Sequence, residues 1–166
     1  SEAKLLRKAL NRHCCQIYTF KRNIISAFLQ MLVGLLLFRP LQVSYYYDLK
    51  LARAFNTLIT KIKPELVHVQ TIRMAEYVLN LKYPVKKIID FIDALSLNML
   101  EKGQTTRLLL KPLYFFEALL CTSYEKMCLN KFQRALIVSN YDKKYLGNDR
   151  KIRINPNGVI VKHAII

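Results

Sequence analysis

Short runs rich in β-branched residues alternate along this chain with stretches long enough for helices, and that alternation narrows the fold more than any other feature. Leu66-Val67-His68-Val69-Gln70, Val85 to Ile92, Ala135 to Ser139 and Lys151 to Asn155 each have the composition of a strand. Gln42 to Tyr46 has the same character and reads as a further short strand. Helices are expected over about 2–13, 17–38, 48–62 and 72–81, with a long one over 106–132 bent at Pro112 and a short one over Asn140–Tyr145. Pro40, Pro64 and Pro84 mark breaks between these segments. Apolar strands separated by helices of ten or more residues are the pattern of an α/β fold, a parallel sheet covered on both faces.

Composition excludes several function classes. At 166 residues with 52% hydrophobic content the chain is a globular domain and not a disordered one. Its four glycines, Gly34, Gly103, Gly147 and Gly158, are too scattered for a phosphate-cradling loop. Cys14 and Cys15 are adjacent and no CxxC spacing exists, which argues against a disulfide framework, a zinc site or a redox motif. His13 beside them is no metal site, because three consecutive helical residues point in three directions. Cys121 and Cys128 share one helix face and read as small core residues. The cysteine pattern suits a reduced, cytoplasmic protein.

The chain carries a net charge of +16, and the excess is front-loaded: through Lys63 there are eleven Lys and Arg against only Glu2 and Asp48. That asymmetry points to an acidic surface or ligand as partner. The longest apolar run, residues 24–38, has fifteen residues, too few to span a bilayer as a helix. It reads as a buried core helix ahead of an interfacial one. Residues 1–39 form a basic and apolar segment suited to contact with an anionic membrane surface. A basic nucleic-acid-binding module is the alternative reading of the charge, but the aromatic residues sit in apolar runs and no RNA-binding motif is present, so nucleic acid is not the expected partner.

In open parallel sheets ligands gather at the carboxyl ends of the strands. That rule selects His68, Gln70, Asp93, Ser139, Asn157 and Gly158. Asp93 serves either as a hydrogen-bond acceptor for a reacting hydroxyl or as a helix N-cap, a role also open to Ser96. His68, between Val67 and Val69, reads more as a buried, satisfied imidazole than as an acid or base. Arg73 and Glu76 have the spacing of a surface ion pair, or Arg73 meets an anionic ligand. Glu117 and Glu125, eight apart on one helix, lie too far apart for one reaction centre and are expected to pair with nearby Lys or Arg. Tyr45 to Tyr47 and the leucines of 108–120 are expected in the core.

Four segments, in order, carry a family resemblance: Lys63 to Tyr77 (KPELVHVQTIRMAEY), Ile88 to Met99 (IIDFIDALSLNM), Glu117 and Glu125 ahead of Ala135–Ser139 and Asp142, and Asn155-Pro156-Asn157-Gly158-Val159. Together they resemble the amino-terminal, acceptor-side domain of a family 4 glycosyltransferase of the two-domain GT-B type. The resemblance implies an incomplete Rossmann-like sheet over 40–159, preceded by 1–39 and followed by a tail, 160–166, where a second domain would begin. It implies transfer of a hexose, with retention, from a UDP- or GDP-linked sugar to a lipid-linked or polysaccharide acceptor, in cell-envelope polysaccharide biosynthesis, and for residues 1–39 a peripheral contact with the inner face of the plasma membrane. The nucleotide sugar is a substrate of the complete enzyme, and neither a cofactor nor a metal is expected in this chain. The resemblance places His68, Gln70, Arg73, Asp93 and Ser96 on the acceptor side, with Asp93 as the catalytic candidate, and Asn157 and Gly158 in a donor-side hinge loop. The family's first strand and glycine-containing loop have no counterpart in residues 1–39, and its nucleotide-gripping half does not follow. The expectation is a piece truncated at both ends, inactive without a carboxyl-terminal partner half.

Overall fold

The alternation of strand and helix segments does produce an α/β fold with a four-stranded, wholly parallel sheet. The structure is a computed structural model that describes Leu10, residues 13–21 and residues 23–158. The strands are β1 (Leu66–Gln70), β2 (Lys86–Asp90), β3 (Arg134–Ile137) and β4 (Ile152–Ile154). They lie in the order β1-β2-β3-β4, with His68 opposite Ile88, Ile89 opposite Ala135, and Ala135 opposite Ile152. The helices are α1 (Ile24–Leu36), α2 (Leu41–Tyr46), α3 (Leu49–Ile62), α4 (Ala75–Leu79), α5 (Leu95–Thr105), α6 (Lys111–Lys131) and α7 (Asn140–Tyr145). Short 3-10 turns, Ile72–Met74 and Leu108–Leu110, precede α4 and α6. This is the architecture of a partial Rossmann-like fold.

One face of the sheet is covered and the other is not. Val67, Val69, Ile89, Ala135, Ile137 and Ile152 are buried against the helices with Phe91, Leu129 and Phe132. Of the alternate residues, Leu66, His68, Gln70, Lys86, Arg134 and Arg153 are exposed, and the central Ile88, Asp90 and Leu136 are half-buried. The expectation of a sheet covered on both faces is thus corrected for the described residues. The reason is topological. Each crossover steps one strand in the same direction, and crossovers of one hand then lay all their helices on the same side. His68 is corrected with it, since it stands on the open face instead of in the core.

Gln42 to Tyr46, expected as a strand, is the helix α2. Its β-forming composition is overridden by a distant cap: the carboxylate of Glu117 accepts from the backbone N–H of Leu41 (2.8 Å) and of Gln42 (3.1 Å), the groups a helix start leaves without partners. Glu125, two turns further along α6, does the same for α5. Its Oε1 accepts from Ser96 N (3.1 Å), and its Oε2 lies 2.5 Å from Ser96 Oγ. The two glutamates therefore serve backbone groups, and not the Lys or Arg expected for them. The long helix does not bend at Pro112. That residue sits in the first turn of α6, where its missing N–H costs nothing.

Glu76 is not on the surface with Arg73. It is 4% exposed and receives Arg39 Nη1 (3.1 Å), Tyr124 O–H (2.7 Å) and Asn80 Nδ2 (2.9 Å). Burial, and then the charge of Glu76, push the Tyr124 phenol far above its ordinary value, so it stays a donor. Cys121 and Cys128 are buried, as expected.

The apolar run does not form a core helix. The expected helix over 17–38 starts only at Ile24, where Asn23 Oδ1 caps Ile25 N, and it buries only Ala27 and Gly34. Gly34 lies against Ser44 of α2, with no room for a side chain between them. The leucines Leu108, Leu109, Leu110, Leu113 and Leu119 are exposed, as is Tyr46, while Leu120 is buried. The expected helix over 2–13 falls mostly outside the described residues, as does the tail 160–166. No helix among the described residues is long and apolar enough to cross a membrane.

Candidate functional site

Two of the five non-glycine residues with positive φ among the described residues stand at the carboxyl ends of β1 and β2. Thr71, directly after β1, has φ +69°, and Ile92, two residues after β2, has φ +64°. Both are β-branched residues in a region that L side chains avoid, a state costing of order 1–3 kcal/mol each and typical of functional loops. Asp90 holds both turns. Its carbonyl accepts from Thr71 N (2.8 Å), and its Oδ1 accepts from Ile92 N (3.0 Å). Ile92 in turn passes its carbonyl to Val138 N (3.0 Å), which ties the β2 end to the β3 end.

The Ile92 turn projects Asp93 into solvent at the mouth of an open cleft of about 490 Å³, bounded by α5 and by Arg73. Asp93 does not cap α5. Its Oδ2 accepts from Asn98 Nδ2 (2.8 Å), while the Ala94 N–H at that helix start goes to Asp142 Oδ1 (3.0 Å). Of the two roles open to Asp93, the cap is therefore taken by another residue. Arg73 is fixed by Gln42 of α2, whose Oε1 accepts from both Nε (3.0 Å) and Nη2 (2.8 Å). A guanidinium has five N–H donors, so three remain for the cleft after Gln42 has taken two. Asn98, Glu101, Lys102 and Thr105, on one face of α5, line the cleft together with Leu95 and Met99.

The other expected site residues are placed as follows. Gln70 is exposed at the tip of β1, on the open sheet face with His68, and neither lines the cleft. Ser96 is fully buried with its hydroxyl on Glu125, which removes it from the acceptor contacts. Ser139 caps α7 through Asp142 N (3.0 Å), and its hydroxyl meets Asp142 Oδ2. Asn157 and Gly158 are exposed and follow β4. Because all four strands run the same way, that loop and Asp93 both follow the carboxyl ends of strands on the same edge, β4 and β2, which lie two spacings or roughly 10 Å apart in the sheet. The strand order shows no reversal among the described strands, so the cleft sits beside the outer strand β1 and not at a switch point.

Gln42, Asp90, Asn98 and Lys102 were not selected from the sequence. Asp90 carried a signal, a carboxylate inside an apolar strand three residues before a candidate site, while Gln42 and Lys102 carried none. Among the described residues no group of three His, Cys, Asp or Glu could hold a metal ion. Chemically the cleft offers two carboxylates (Asp93 and Glu101), a guanidinium held by Gln42, an amide and an ammonium, a set suited to a ligand rich in hydroxyls, with Arg73 and Lys102 as the groups able to meet an anionic substituent. No protein-family model, no curated protein and no solved structure matches this chain.

Proposed function

We propose that this chain is the acceptor-side half of a nucleotide-sugar-dependent glycosyltransferase, acting on a hydroxyl-bearing acceptor that is lipid-linked or a polysaccharide. The observation that carries the reading is the convergence of Arg73, Asp93, Asn98 and Lys102 on one open cleft at the strained carboxyl edge of a parallel sheet. In this reading Asp93, steadied by Asn98, accepts the hydrogen bond of the acceptor hydroxyl and orients its oxygen toward the sugar carbon. The bond from that carbon to the diphosphate breaks as the new glycosidic bond forms, and the hydroxyl proton passes to the departing diphosphate oxygen. Arg73 and Lys102 hold an anionic group of the acceptor. Neutralising the departing diphosphate belongs to the donor side, in a second domain facing the Asn157-Gly158 loop.

The test is to combine the chain with a donor-binding half of this family and follow sugar transfer from UDP- and GDP-linked hexoses. Transfer is expected, and Asp93→Asn should lower it about a hundredfold while leaving folding intact. Arg73→Ala should raise the acceptor KM more than it lowers kcat. Two folded halves that give no transfer, or a fully active Asp93→Asn, would count against the reading.

A further inference from the structure

Helix α1 leaves a wide apolar surface uncovered. Ile24, Ile25, Phe28, Leu29, Leu32, Val33, Leu35 and Leu36 are 41–80% exposed. At about 100° per residue they fill one half of the helix circumference without interruption. Ala27 and Gly34 occupy the opposite half, against α2, and Ser26 and Gln30 are half-buried on that side. Aromatic residues stand at both ends of this apolar half-cylinder: Tyr18 and Phe20 before it, and Phe38 after it, 75% exposed and held at φ +52°. A large side chain at that left-handed position is one that packing within this chain does not require.

Charge identifies the occupant. From residue 3 to residue 47 the sequence contains no Asp or Glu but seven Lys and Arg. In sequence these cations flank α1, Lys21 being exposed just ahead of it, so an anionic lipid layer is opposite in sign to this stretch of chain and a second copy is not. The helix is roughly 20 Å long, shorter than the ~30 Å hydrocarbon core, so it lies along a bilayer and does not cross it. We propose that the exposed half of α1 seats this protein on an anionic bilayer, its leucines, isoleucines and phenylalanine immersed at the acyl boundary, with Lys21 and the other Lys and Arg that precede α1 in the sequence meeting the headgroups. The inference stands on α1 and the charge distribution alone, and it does not depend on sugar transfer.

The test uses the full chain and vesicles of phosphatidylcholine, with and without phosphatidylglycerol. The sequence has no tryptophan, so Phe28→Trp supplies a single reporter. Its emission should shift to the blue and be quenched by brominated acyl chains on the anionic vesicles. Phe28→Asp/Leu32→Asp, exposed positions whose replacement leaves the core untouched, should reduce co-sedimentation at least tenfold. Asp93→Asn, on the sugar-transfer cleft, should bind vesicles as the parent does, which separates a failure here from a failure of the proposed function. Three results would each overturn the proposal: no binding to anionic vesicles, binding indifferent to the double substitution with an unshifted tryptophan, or a dimer in solution that the double substitution dissociates.

Discussion

Glu125→Ala is expected to cost the fold roughly 3–5 kcal/mol, because it strands two buried donors at once and leaves a cavity. The N–H and the hydroxyl of Ser96 both end on this carboxylate, and neither residue is more than 1% exposed. A loss of that size is a large share of the 5–15 kcal/mol that holds a typical domain together. Glu125→Gln should behave quite differently. Its carbonyl oxygen still accepts from Ser96 N, and its amide donates to Ser96 Oγ, so both atoms of Ser96 keep a partner and only the hydroxyl proton loses its acceptor. Urea unfolding of the two variants measures the contrast. Two variants equally destabilised would mean that the charge of Glu125, and not its capping of α5, is what the fold uses.

The same pair carries a pH prediction. Burial first, and the nearby charge of Asp93 in the same direction, push Glu125 above the ordinary carboxylate range, while the bonds from Ser96 and Leu95 pull it down. A carboxyl raised in the folded state binds its proton more tightly there than in the unfolded chain. Its favourable contribution is complete below the ordinary value near 4.5 and is lost as pH rises through the raised one. Relative to the parent, Glu125→Gln should therefore gain stability on going from acid to neutral pH, and a variant that instead loses stability relative to the parent over that interval would reverse the assignment.

Gly34→Ala should be the second large effect. An added Cβ would stand 1.8 Å from Ser44 Oγ and 2.4 Å from Ser44 Cβ, so α1 and α2 must separate. Overpacking of this kind costs typically 1–3 kcal/mol and occasionally more, and here the value should lie at the upper end, because the clash reaches a Cβ that cannot swing away. Ser44→Gly removes both obstructing atoms and should recover most of the loss in the double variant. Ser44 Oγ, which is buried without a hydrogen-bond partner, is itself a weak point, so Ser44→Ala should be neutral or slightly stabilising. Thermal unfolding of the four proteins closes the cycle. Additive effects would show that the two helices do not meet at these residues.

What the sequence disclosed follows the range of the interaction. The strands were legible because dense β-branched runs bounded by prolines are local signals, and the parallel sheet followed from the spacing between them. Gln42 to Tyr46 was misread for the complementary reason: the Glu117 carboxylate that caps this helix lies about 75 residues away. Glu117 and Glu125 were visible as a spaced pair, but backbone amides do not show in a sequence, and Lys or Arg were the partners that did. An apolar run cannot say which of its sides meets protein, so α1 appeared as a core helix. Of the site, Asp93 and Arg73 were found from their position after a strand. The residues that hold them, Asn98 and Gln42, work through side-chain contacts that no spacing rule encodes.

The most direct measurement is a backbone amide NMR titration of this chain with neutral and uronic-acid disaccharides. The account predicts saturable shifts gathered at Thr71–Arg73, Ile92–Asp93 and Asn98–Lys102, larger for the acidic sugars and abolished by Arg73→Ala. Shifts that instead collect on Leu66, His68, Arg134 and Arg153 of the open sheet face, or an unresponsive cleft at saturating sugar, would contradict it.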